Sequence, residues 1–176
     1  MGKDLTAEQL LKRIKLIVIF FIGALIVSGI TAFPLTIELE LLHDFINKNP
    51  NLIQPDGTLA TWLLFVYEGV NSTAEAYPFL AYGTDWLAFA HIIIAIVFVG
   101  VYYRPIRNIW IVYWAMIACV LVIPLAFICG SIRGIPFYWQ LIDCSFGVFG
   151  LIPLYFLLKY IKQLKDKIGW TITPQY

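Results

Sequence analysis

The sequence predicts an all-α integral membrane protein: four transmembrane helices, both termini cytoplasmic, and a two-helix extracytoplasmic cap between spans 1 and 2. Three observations carry this. Four long runs, residues 16–34, 86–103, 109–129 and 135–158, are nearly free of charge and long enough to cross a hydrocarbon layer of about 30 Å. Ten of the twelve Lys and Arg residues fall in the first 15 residues, at Arg104 and Arg107, and after Leu158. Cationic loops are retained in the cytoplasm, so this distribution places both ends and the short Arg104–Arg107 link on the inner side. Apolar residues make up 61% of the chain and charged residues 13%, a balance well outside that of soluble domains.

The elements follow in order along a single membrane domain, residues 1–176. Residues 1–15 form a cytoplasmic amphipathic segment. Within it Thr6-Ala7-Glu8-Gln9 has the form of a capping box, in which hydroxyl and amide side chains satisfy two backbone N–H groups reciprocally. Span 1 covers residues 16–34, with Pro34 ending it because its ring cannot continue the ladder. Asp4 and Glu8 lie among the leading bases and no small-x-small cleavage site follows, so an uncleaved helix is expected rather than a signal peptide. Met1-Gly2-Lys3-Asp4-Leu5-Thr6 fits an N-myristoylation pattern only formally, in a chain already held by four spans.

Residues 35–84 make the outer cap. Its first helix should run from a Thr36 cap to about Lys48, with Glu38 and Glu40 near its start and Lys48 in its last turn, as the helix dipole favours. Ile37, Leu41, Leu42, Phe45 and Ile46 give it one apolar face. Asn49-Pro50-Asn51 and Asp56-Gly57 break the chain. The second helix should run from Thr58 to about Glu68, too short to span. Asn71-Ser72-Thr73 fits a glycosylation sequon, relevant only in a eukaryotic secretory membrane.

Span 2 covers residues 85–103, with Thr84 as its cap. Span 3 covers 109–129 and carries Trp110 and Trp114 at its inner end. Span 4 covers 136–158, with Pro136 at the first helical position, Tyr138 and Trp139 at the outer interface, and a cytoplasmic tail over 159–176. Gly23 and Gly29 on span 1, and Gly147 and Gly150 on span 4, permit close helix approach.

Polar residues inside a span are costly, so each asks for an explanation. His91 lies six residues beyond Asp85 and Asp143 seven beyond Pro136, which puts both about 9–11 Å below the outer boundary. Pro124 should kink span 3 near this level and free the Val120 carbonyl. Arg133 has the reach to fold down onto Asp143, and Asp85, Tyr82 and Glu68 would close the cluster from above. Trp86, Tyr138 and Trp139 offer rings for stacking.

The constellation points to an outward-facing buried polar pocket around His91, Arg133 and Asp143. It would bind a lipophilic or amphipathic small molecule: a quinone, a lipid or a haem-like group. The same residues also fit architecture alone, with Arg133 and Asp143 as an ion pair and His91 bonding a carbonyl on a neighbouring span. Two further functions stay open: a non-catalytic accessory or assembly subunit of a larger membrane complex, and a membrane enzyme using His91 and Asp143 for proton transfer. A channel is disfavoured because only one polar level is evident.

No cofactor or catalytic residue is assigned. A bis-His haem would need His43 to reach His91. A mixed metal set of His43, Asp44, Glu68 and His91 has suitable ligand types but no specific spacing, so no metal is assigned. Cys119, Cys129 and Cys144 are expected at unequal depths, as small hydrophobes rather than disulfide partners. A net charge of +1 without a basic stripe argues against nucleic acid as a partner.

Two segments, Tyr82-Gly83-Thr84-Asp85-Trp86-Leu87-Ala88-Phe89-Ala90-His91 and Arg133-Gly134-Ile135-Pro136 with Ile142-Asp143-Cys144-Ser145-Phe146-Gly147, resemble small uncharacterised bacterial four-transmembrane-helix proteins. The resemblance implies a bacterial inner membrane and carries over no site residue.

The topology has a direct test. In a cysteine-free background, Arg107→Cys should react with an impermeant maleimide only after cells are opened, and Asn71→Cys should react in intact spheroplasts.

Overall fold

The computed structural model describes residues 5–49 and 57–170. The Met1–Asp4 part of the myristoylation pattern and the breakers Pro50, Asn51 and Asp56 lie outside the described residues. Helix α1, Ala7–Ala32, opens on the expected capping box: the Gln9 N–H donates to Thr6 Oγ1 at 3.2 Å and the Thr6 N–H donates to Gln9 Oε1 at 2.9 Å. It stops two residues before Pro34.

Helix α2, Leu35–Lys48, begins directly after Pro34, and Pro34 rather than Thr36 occupies the N-cap position. The expected apolar face divides: Ile46 is buried, while Ile37, Leu41 and Phe45, spaced one turn apart, form an exposed stripe. Lys48 bonds Asp44 one turn back at 3.1 Å, and this cation holds the Asp44 carboxyl below its ordinary value.

Helix α3 spans Thr58–Ala76, 19 residues, well past the Glu68 end expected from composition. Nothing in Glu68-Gly69-Val70-Asn71 forces a stop, and the Ser72 hydroxyl satisfies itself on the Glu68 carbonyl at 2.7 Å. The end comes at Tyr77, which the following Pro78 drives out of helical geometry (φ −139°, ψ 67°). The sequon at Asn71 therefore lies inside a helix. After a 3₁₀ turn at Pro78–Leu80, helix α4 covers Ala81–Tyr103. It starts four residues before Asp85, so Thr84 is not a cap; its hydroxyl donates to the Ala81 carbonyl at 2.6 Å.

Helix α5, Ile109–Ile132, follows Asn108 as expected, and helix α6 runs from Phe137 to Lys167 with Pro136 as its N-cap. Good helix formers among residues 159–167 carry α6 beyond the end of the apolar run. Pro124 lies inside α5 and Pro153 inside α6. Both ends of the α5–α6 pair close alike. Gly134 (φ 68°) and Gly169 (φ 62°) take left-handed geometry, while Ile135 N–H reaches the Gly130 carbonyl at 2.9 Å and Trp170 N–H the Lys165 carbonyl at 3.1 Å. These are Schellman caps, which use glycine because a Cβ is strained there.

Four helical stretches, α1, Pro78–Tyr103, α5 and α6, are long and apolar enough to cross a membrane; α3 is not among them. Only 17–28% of their most apolar windows is buried inside the chain, so lipid must cover most of that surface.

The chain divides into two compact units, residues 1–23 with 95–176, and residues 24–94. The first has the larger core. Leu10, Ile14 and Val18 of α1 are buried, as are Ala95, Phe98 and Val101 of α4. From the C-terminal pair, α5 buries Ile111, Val112 and Ala115, and α6 buries Leu154, Leu157, Ile161 and Leu164. The three- and four-residue spacings mark one stripe per helix.

Around that core, cations sit over tyrosine rings: Arg13 on Tyr160 at 5.5 Å, Lys15 on Tyr102 at 5.1 Å and Lys162 on Tyr113 at 5.7 Å. Each such contact is worth about 0.5–1 kcal/mol when exposed. α5 and α6 meet closely. A Cβ on Gly147 would collide with the Cys119 carbonyl, and one on Gly150 would stand 2.9 Å from Cys119 Sγ.

In the second unit α2 lies on α3, with the His43 ring stacked on Tyr67 at 4.5 Å. Gly29 of α1 meets α4, since a Cβ there would lie 2.8 Å from the Ala88 carbonyl. Gly23 has nothing within 4 Å of such a Cβ, so the close approach expected at both α1 glycines occurs at Gly29 alone.

Identical substitutions should therefore act in opposite directions. Gly147→Ala should cost about 1–3 kcal/mol through overpacking against the α5 backbone. Gly23→Ala should leave stability unchanged or raise it by up to about 1 kcal/mol through helix propensity. Thermal denaturation in one mild detergent checks both.

Candidate functional site

The sequence-derived site residues fall into separate settings. In the first unit, Arg133 is the C-cap of α5 and Asp143 lies in the second turn of α6. Both line a groove of about 300 Å³ whose walls are Val122, Leu125, Ala126 and Cys129. Asp143 is half-buried and Arg133 is exposed. They share the groove without an ion pair. Gly130, Ser131 and Gly134 of the capping turn orient the Arg133 backbone, and that turn, not a salt bridge, holds the helix entry.

The residue that secures this entry is Gln140. It is 4% exposed, and its Nε2 donates to the Ile135 carbonyl at 2.8 Å. Its side chain fills the place a Cβ on Gly130 would occupy, 2.7 Å from Gln140 Cγ. Its Oε1 is buried with no partner. Sequence reasoning passed over Gln140, although a lone amide in an apolar run was the available signal. Trp139, beside it in the first turn of α6, is half-buried.

In the second unit, Asp85 lines a cavity of about 280 Å³. Phe33 at the end of α1, Leu35 of α2, Val70 of α3 and Leu80 of the 3₁₀ turn supply apolar walls; Thr36, Thr73 and Thr84 supply hydroxyls. Glu68 is exposed, one residue before the lining Gly69. Tyr82 and Trp86 pack edge to face at 5.9 Å, and Trp86 meets Phe89 at 6.4 Å; both are exposed and neither lines the cavity. An Asp85 carboxylate with Thr36 and Thr73 hydroxyls can accept from and donate to a small polar head, while the walls hold an apolar body.

His91 has a different role. Its Nδ1 lies 2.8 Å from the Leu87 carbonyl, on its own helix rather than on a neighbouring span. A carbonyl only accepts, so Nδ1 carries the proton and Nε2 is left as acceptor in the neutral ring. The His91 Cβ stands 3.3 Å from where a Cβ on Gly29 would lie, at the α1–α4 crossing. Counted along their helices, His91 is ten residues into α4 and Asp143 six into α6.

Among the described residues no three His, Cys, Asp or Glu side chains gather to hold a metal. His43 is occupied by Tyr67 and receives a bond from Asn47 Nδ2 at 3.2 Å. All three cysteines are free, with Cys144 buried.

No protein family, curated protein or solved structure matches this chain. Of the resemblance expected from the two segments, what stands is the architecture: a small chain with four helices long and apolar enough to cross a membrane.

Gln140→Leu should cost about 1–3 kcal/mol, because the Ile135 carbonyl loses its buried donor. Arg133→Gln should stay within about 0.5 kcal/mol, as expected for an unpaired exposed charge. Unfolding of the two variants in the same detergent separates the contributions.

Proposed function

We propose that this small membrane protein binds an amphipathic small molecule in an outward-facing cavity of its second unit, with Asp85 as the charged contact. The observation that supports the reading is the cavity itself: apolar walls, the hydroxyls of Thr36 and Thr73, and one half-buried carboxylate. Its volume is just below the usual range for small-molecule sites, which suits a head group or a single ring. A haem is disfavoured, since no histidine lines the cavity. A quinone would take its hydrogen bonds from Thr36 and Thr73 and leave Asp85 unused. A molecule with a hydroxyl or amino head on a lipid-like body satisfies Asp85, Thr36 and Thr73 together.

In this reading Glu68 and Tyr82 flank the cavity, Trp86 belts the helix in the bilayer, and His91 helps seat α1 against α4. Arg133, Asp143 and Trp139 belong to the groove of the first unit. The charge distribution supports both termini on the cytoplasmic side, and the resemblance of the two segments is what suggests a bacterial inner membrane.

Native mass spectrometry of protein released from mild detergent is the test. A discrete bound mass is expected, weakened about tenfold or more by Asp85→Asn through loss of a charge-assisted bond. The cavity-filling Thr73→Leu should abolish it. Bare polypeptide would overturn the reading. Stoichiometric partner subunits would favour the accessory class. A turnover lost in Asp143→Asn and retained in Asp85→Asn would favour proton transfer.

A further inference from the structure

A second groove, in the first unit, has the opposite charge. It measures about 360 Å³ and is lined by Arg104, Arg107, Tyr103, Trp170, Leu11 and Leu164 among others. α4 ends at Tyr103 and α5 starts at Ile109, so the groove lies where two candidate spans leave the hydrocarbon.

Its backbone is fixed. The Arg104 N–H bonds the Gly100 carbonyl at 3.0 Å and the Asn108 N–H bonds the Arg104 carbonyl at 3.0 Å. The Asn108 side chain adds a bond to the same Gly100 carbonyl at 2.6 Å, and Pro105 between the two arginines is buried. Trp170 is held by the Schellman cap at Gly169.

Four other cations of this unit have contacts of their own: Arg13, Lys15 and Lys162 with tyrosine rings, and Lys167 with the Leu5 carbonyl. Arg104 and Arg107 are exposed and, among the described residues, pair with no carboxylate. Two planar guanidiniums three residues apart match the oxygens of a phosphodiester. Leu11 and the buried Leu164 give an apolar floor, and Tyr103 and Trp170 are residues that favour the bilayer interface.

We propose that this groove is a binding site for the phosphate head group of an anionic glycerophospholipid from the leaflet at this end of the molecule. The arginine pair takes the phosphodiester, and the floor takes the first methylenes of the acyl chains. Charge complementarity and placement at the span ends select a lipid over a soluble phosphate.

The test titrates full-length protein in mild detergent with phosphatidylglycerol and with phosphatidylcholine of identical chains, counting retained lipids by native mass spectrometry. Wild type should retain phosphatidylglycerol over phosphatidylcholine by about thirtyfold, the effect of two arginines at about 1 kcal/mol each at a membrane surface. Arg104→Gln/Arg107→Gln should bring the two lipids level, while Lys159→Gln/Lys162→Gln, an equal loss of charge, should keep the preference. Absence of a preference in wild type overturns the proposal even where the arginine variant fails to fold. So does an equal loss in the lysine control, which would mean diffuse attraction. Displacement of the lipid by millimolar inorganic phosphate would assign the groove to a soluble anion and overturn it as well.

Discussion

The contact on which the first unit depends is the approach of α6 to α5 at Gly147, where the Cys119 carbonyl leaves no room for a side chain. In a bilayer, helices gain nothing by hiding apolar surface from lipid that is equally apolar. Association rests instead on close packing and on polar groups satisfied across or within helices. Gly147 and Gly150 supply the first. The turn joining the two helices supplies the second, with carbonyls of the last α5 turn capped by Gly134 and Ile135 and the Ile135 carbonyl taken by Gln140. The groove shared by Arg133 and Asp143 is a by-product of this hairpin: small residues at the crossing draw the backbones together and leave a recess where the turn widens.

Electrostatics follows the division into units. The first unit holds most of the cations, three of them with their charged heads over tyrosine rings. The second unit carries Glu38, Glu40, Asp44, Glu68, Glu75 and Asp85 against the single base Lys48. A cavity lined by Asp85 in such surroundings suits a donor or a cation, and a groove flanked by Arg104 and Arg107 suits an anion. The two proposed sites are thus selective for opposite partners by composition before any shape is considered.

Much of this architecture was legible in the chain. Thr6 through Gln9 spelled a capping box that forms with both bonds, Pro34 ends α1, Asn108 precedes α5, and three of the four glycines singled out lie at tight crossings. Boundaries set by polar composition were not legible. α3 continues through Glu68, α4 starts before Thr84, and α6 runs past Leu158, because a helix ends where its backbone geometry is forced to change. Tyr77 before Pro78 and Ile168 before Gly169 mark such places, and hydropathy does not report them. The site was harder still. Spacing along one helix says nothing about rotamers, so His91 facing its own Leu87 carbonyl and Arg133 sharing a groove with Asp143 without an ion pair needed coordinates.

The length of α6 has a mechanical meaning. Its 31 residues extend about 46 Å, against a hydrocarbon layer of about 30 Å. Lysines 159, 162, 165 and 167 cannot enter hydrocarbon cheaply, so the excess of roughly three turns must stand clear of it or tilt. The helix has Pro153 within it and carries Trp170 just past its C-terminal end, beyond the Gly169 cap. A thinner bilayer leaves more of those turns outside the hydrocarbon or tilts the helix further.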